Sequence, residues 1–198
     1  GPKHGGANIK AISMQDDLKD NVADWTDEGQ VADYLRRVLR KEANDHSGLI
    51  YGMGHAVYTL SDPRAEICKK FARRMAEGTE YEGDFRLVET IERLSPELFA
   101  ESKGVEKAIC ANIDMYSGLV YRMLGIPEEL FTPLFAVARQ AGWSAHRFEE
   151  LAAGRRIIRP AYNSIEKRRE YAPMETRSAA KDIESSQVIN INEDVPND

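Results

Sequence analysis

A helical repeat of apolar residues governs most of this chain. Between Glu28 and Asn44, Val31, Tyr34, Leu35, Val38 and Leu39 fall at i, i+3, i+4, i+7 and i+8, while Arg36, Arg37, Arg40 and Lys41 occupy the remaining positions. A period of 3.6 residues places the first set on one face, so the segment reads as a helix with a buried stripe. Asp62-Pro63 reads as an N-cap followed by proline at the first helical position, opening a helix that carries Ile67, Phe71 and Met75. Phe85–Leu94 continues with Val88 and Ile91. Gly104–Met123 is the longest expected helix, with Ile109, Ile113, Tyr116 and Val120 in register. After the break at Gly125-Ile126-Pro127, one helix is expected over Leu130–Ala138 and another over Trp143–Ala153, with Gly154 as its stop. Strand-like alternation occurs only at Arg156–Tyr162, where Pro160 interrupts it. The expected fold is all-α with at most a short β element.

Composition narrows the function classes. Across 198 residues, 42% are hydrophobic and 30% charged, enough for a core and a wet surface, and the net charge of -6 argues against a protein that coats nucleic acid. No apolar run reaches the roughly 18 residues of a membrane span, and Gly1–Ser13 does not have the pattern of a signal peptide. Two cysteines, Cys68 and Cys110, are too few for a disulfide framework or a four-cysteine zinc site. Their scarcity fits a reducing compartment, and the expected location is the cytoplasm, with the mitochondrial matrix as the alternative. From Glu166 onward acids outnumber bases and large apolar residues are few, so residues 166–198 are expected to be a flexible polar tail.

Among four histidines, His4 and His55 stand in glycine-rich settings, Gly1-Pro2-Lys3-His4-Gly5-Gly6 and Tyr51-Gly52-Met53-Gly54-His55. Glycines let a ligand approach the backbone and let a ring take an unusual angle, which suits a working histidine better than a core filler. Asp114 follows Ile113 in an apolar stretch. Such an acid reads either as a partly buried base or as a partner for an arginine. Arg64, Arg139 and Arg159 each adjoin a proline- or aromatic-marked turn, and their planar forks suit carboxylates. No spacing in the chain makes a P-loop, a dinucleotide-binding fingerprint, a zinc site or a nucleophile elbow.

Taken in order, these segments resemble the citrate synthase family. The residues that carry the resemblance are Gly1–Asn8 (GPKHGGAN), Gly52–Tyr58 (GMGHAVY) with Asp62-Pro63-Arg64, and Asn112–Gly118 (NIDMYSG). They continue through Leu124-Gly125-Ile126-Pro127, Phe131–Ala136, Arg139, Gly142-Trp143 and Arg156-Ile157-Ile158-Arg159-Pro160. The similarity runs over residues 1–163. It implies a catalytic trio of His4, His55 and Asp114, in which Asp114 takes a proton from the methyl of acetyl-CoA, His4 donates to the thioester oxygen and His55 polarises the ketone of oxaloacetate. It also implies that Arg64, Arg139 and Arg159 hold the oxaloacetate and citrate carboxylates, the last reaching across from a second subunit. Gly52, Met53, Gly54 and Ala56 would lie along CoA. No metal or prosthetic group is implied, and CoA is a substrate.

The same resemblance divides the chain. Residues 1–7 would end a large-domain segment, 8–118 would be the small mobile domain, and 119–165 would be large-domain helices. The family's opening segments have no counterpart, so a fragment with little activity alone is expected. Ala56 and Thr59 stand where many bacterial members carry basic residues, which would weaken the grip on CoA phosphates. Phe131, Leu134, Phe135, Trp143 and Phe148 would seek cover by self-association, as a homodimer or a larger homo-oligomer that need not match the family's own dimer. 2-Methylcitrate synthase, using propionyl-CoA with the same trio, is the alternative within the superfamily. A noncatalytic helical module that binds CoA or a protein is the alternative outside it.

Overall fold

The computed structural model describes residues 5–104, 108–153 and 173. The chain divides into two units, Gly1–Gly154 and Arg155–Asp198, and the elements below all belong to the first. They are α1 (Ala7–Asn21), α2 (Glu28–Leu39), α3 (Pro63–Ala76), α4 (Glu82–Lys103), α5 (Asp114–Met123), a single 3-10 turn at Glu128–Leu130, and α6 (Phe131–Ala153). No strand occurs among the described residues; an isolated antiparallel bridge joins Met53 to Ala111. The fold is all-α. The short β element expected at Arg156–Tyr162 lies outside the described residues.

α2 forms as its stripe requires. Asp27 caps it, accepting from Gly29 N at 2.7 Å and Gln30 N at 3.3 Å, and Val31, Tyr34, Leu35 and Val38 are buried against α4. Burial of each such side chain contributes about 1.5–3 kcal/mol. α5 is the hub: it packs on α1, α3 and α4, and Met115, Tyr116 and Leu119 are essentially without exposure. Gly118 lets α1 come close, because a Cβ there would sit 2.3 Å from Ile12 Cγ1. Buried Tyr116 donates its hydroxyl to Glu92, which Lys69 also grips at 2.7 Å. At the far end of α5, Arg122 binds Asp16 of α1 and Glu128 of the 3-10 turn.

Four expectations need correction. The helix expected over Gly104–Met123 starts only at Asp114. Gly104 has φ 63 and stops α4 with a left-handed cap, and Ala111 forms the isolated bridge with Met53. α4 runs through Pro96 to Lys103, well beyond Leu94. Ser95 Oγ, donating to Ile91 O at 2.5 Å, lies in the turn where the proline breaks the backbone ladder. On α3, Ile67 and Phe71 are exposed, and the buried residues are Ala65, Ala72 and Ala76. Small side chains allow α3 close to α5, and they, not the large ones, mark its inner face. The helices expected on either side of Gly142 are one, α6, and Phe131 at its start is fully buried.

α1 has no counterpart among the helices expected from the sequence. Its inner face carries Asn8 and Gln15 beside Ala11, Met14 and Leu18, which breaks the apolar period.

Candidate active site

The loop before α3 and the segment before α5 are tied together by short hydrogen bonds. Gly54 N donates to Cys110 O at 2.8 Å, and Asn112 N donates to Gly52 O at 2.8 Å. The Asn112 side chain adds two more: Nδ2 donates to Gly54 O at 2.8 Å, and Oδ1 accepts from Asp114 N at 3.0 Å. Gly52 and Gly54 both have φ +90. At Gly52 the contact is also tight, since a Cβ would meet Met115 Cα at 2.8 Å. This knot sets His55 beside the start of α5.

His55 is oriented by its own loop. Its Nδ1 accepts from Val57 N at 3.0 Å and from Tyr58 N at 3.1 Å. Two donors on Nδ1 assign the proton to Nε2. Nε2 then faces Arg64 Nη2 at 3.0 Å, so two donors meet with no acceptor between them. The Tyr58 ring lies against both groups, 4.8 Å from the imidazole centroid and 5.9 Å from the guanidinium carbon.

Arg64 is held by Asp62. The Asp62 carboxylate accepts from Arg64 Nε at 3.0 Å and Nη2 at 2.8 Å. Oδ1 also caps α3 by accepting Arg64 N at 3.0 Å. The Asp62 side chain has no exposure, and the Arg64 bonds hold its carboxyl below the usual range. Asp114 is at the first position of α5 and only partly exposed. Burial pushes its pKa up; the Arg64 charge offsets this in part, and the Asp62 charge adds to it.

A cavity of about 210 Å³ opens beside this group, lined by Gly54, His55, Ala56, Tyr58, Phe99, Lys103 and Ile109 among others. Ala56 is exposed, and Met53 packs against the core. Gly52 O, Gly54 N and Gly54 O are already engaged in the knot.

Of the site residues expected from the sequence, the structure brings His55, Arg64 and Asp114 to one place. His4 and Arg159 lie outside the described residues. Arg139 is exposed on α6 with its guanidinium 4.8 Å from the Phe135 ring, and among the described residues no hydrogen bond or ion pair joins it to the other three. Sequence reasoning gave no role to Asn112, Tyr58 or Asp62 beyond the cap; the Asp-x-Arg spacing at 62 and 64 was the available signal for the clamp. Among the described residues no three His, Cys, Asp or Glu side chains are grouped to hold a metal ion, and no helix is long and apolar enough to cross a membrane.

The chain matches the family model described as citrate synthase, C-terminal domain, over residues 1–161. The citrate synthase of Corynebacterium glutamicum is 36% identical over 180 residues, covering 89% of this chain and 38% of the relative. A 2-methylcitrate synthase of Shewanella oneidensis is 36% identical over 165 residues, covering 83% of this chain and 38% of the relative. Among solved structures, the ternary complex of carboxymethyl coenzyme A and oxaloacetate with the Thermoplasma acidophilum citrate synthase aligns with TM-score 0.61 at 30% identity, covering 89% of this chain and 43% of that one. The chain therefore spans less than half the length of the proteins it resembles.

Proposed function

Because the chain belongs to the citrate synthase family, we propose that it supplies part of the active site of an acyl-CoA condensing enzyme. In this reading the intact enzyme joins acetyl-CoA to oxaloacetate and hydrolyses citryl-CoA to citrate and CoA. A thioester methyl is a very weak acid, so a base must act together with a fixed donor at the thioester oxygen. Asp114 is the base and His4 the donor. His55 Nε2–H polarises the oxaloacetate ketone, and Arg64 binds a carboxylate, with Arg139 and Arg159 as its companions.

The observation that carries this reading is the His55–Arg64 pair. Two donors 3.0 Å apart are both satisfied by an oxygen placed between them, and an α-keto acid offers a ketone and a carboxylate side by side. The raised pKa of Asp114 supports its role as a base. Gly52, Met53, Gly54 and Ala56 form the edge along which CoA lies. Residues 8–118 act as the small domain that closes over the site and excludes water, 1–7 and 119–165 belong to the large domain, and 166–198 are a polar tail. The intact protein works as a cytoplasmic homodimer, and the exposed Trp143 and Phe148 belong to faces that other helices cover.

Release of CoA from acetyl-CoA and oxaloacetate, followed for the full-length protein and for this chain alone, tests the reading. Turnover is expected from the first and little from the second. The relative from Shewanella favours one second reading, propionyl-CoA as the acyl donor. A higher kcat/KM with propionyl-CoA selects it, and failure to release CoA from either donor overturns both in favour of a noncatalytic binding module.

A further inference from the structure

We propose that Asn112 is a positioning residue that fixes the His55 imidazole relative to the Asp114 carboxylate, an inference that rests on the functional reading of those two groups. One planar amide touches both sides. Its Nδ2 binds the carbonyl of Gly54, the residue directly before His55, at 2.8 Å; its Oδ1 binds the N–H of Asp114 at 3.0 Å. The orientation of the amide follows from its neighbours, because flipping it would set donor against donor and acceptor against acceptor.

The side chain is not needed to pair the two segments. Gly54 N to Cys110 O and Asn112 N to Gly52 O already do that through the backbone, and neither depends on the side chain at 112, proline excepted. What the side chain adds is a rigid link between the peptide plane that leads into His55 and the first N–H of α5. Serine can cap a helix start but is too short to reach Gly54 O as well. Aspartate matches the size but turns a second acceptor toward that carbonyl.

Asn112→Ser and Asn112→Asp separate the cap from the link. In the full-length protein, kcat is expected to fall about 10²-fold in both, the scale of a small misplacement of reacting groups. KM for oxaloacetate and acetyl-CoA should change little, and the thermal midpoint of the serine variant should stay near that of the parent. In the 198-residue chain, amide exchange should accelerate at Val57 and Tyr58, whose N–H groups hold His55, with α2 and α4 unchanged. A serine variant with wild-type kcat overturns the proposal, as does a loss of kcat that only follows global unfolding. If the full-length protein condenses no acyl-CoA at all, the functional reading fails; unchanged exchange at Val57 and Tyr58 then overturns the link itself.

Discussion

Arg64 Nη2 stands 3.0 Å from His55 Nε2, and neither atom has an acceptor to give to the other in the tautomer that Val57 and Tyr58 impose. The arrangement persists because Asp62 grips Arg64 from the other side. An anion carrying two oxygens relieves it, so oxaloacetate, or an inert dicarboxylate, is expected to raise the thermal midpoint of the full-length protein. Arg64→Ala should abolish that rise, and a thermal shift titration checks it.

Asp62→Ala removes the cap of α3 and the clamp on Arg64 together. The cap alone is worth about 1 kcal/mol, and urea unfolding should show at least that loss. The Asp62 pKa is lowered in the folded state, so its contribution is complete above the unfolded carboxylate pKa and disappears as pH falls through the folded value. The difference between wild type and Asp62→Ala should therefore shrink only in strongly acid solution.

Asp114 has the opposite sign. Its pKa is raised by burial, so the folded state holds the proton more tightly than the unfolded one. The ionised form costs stability, fully above the raised folded pKa and not at all below the unfolded pKa. Asp114→Asn should accordingly unfold at higher urea than wild type at pH 7, with the gain vanishing as the pH is lowered through the carboxylate range. The same substitution should reduce turnover of the full-length protein by about 10²–10⁴-fold, the usual contribution of a general base. Equal urea midpoints at pH 7 would contradict the burial argument.

Gly118→Ala should separate α1 from α5. The new methyl would lie 2.3 Å from Ile12 Cγ1 and 2.9 Å from Ile12 Cδ1, and overpacking of this kind costs about 1–3 kcal/mol. Denaturant unfolding measures the loss, and Ile12→Val in the same chain should recover part of it.

Tyr116→Phe deletes the buried hydroxyl that Glu92 accepts. Glu92 retains Lys69 at 2.7 Å, so the cost should be near 1 kcal/mol, the net value of one such bond. A loss several times larger would mean that Glu92 depends on the tyrosine more than on the lysine.

The sequence made α2 plain because its inner face is wholly apolar and its outer face charged. It concealed α1 because Asn8 and Gln15 occupy buried positions, where Gln15 Nε2 reaches Met115 O. It misdirected the reading of α3, where large apolar side chains point outward and alanines make the close contact. Ile109 fits the period of α5 but lies before it, since α5 begins only at Asp114 and left-handed Gly104 ends the preceding helix. In the site, the order of motifs brought out His55, Arg64 and Asp114. The tautomer of His55 and the grip of Asp62 on Arg64 are set by neighbours two or three residues away, yet they depend on the exact turn of the backbone; the two-sided amide of Asn112 joins groups far apart in the chain, and no local pattern encodes it.

The knot between Gly52–Gly54 and Cys110–Asn112 ties together two segments far apart in the chain, with the Asn112 side chain and Gly54 alone 58 residues apart. Closing so long an intervening segment carries an entropic cost that only the finished helices α3 and α4 can offset. During synthesis the histidine loop therefore waits, unanchored, until the stretch around position 112 has left the ribosome. Maturation of this corner should trail the packing of the interior, and pulsed isotope labelling during refolding would see Gly54 gain protection after Val31 and Leu35.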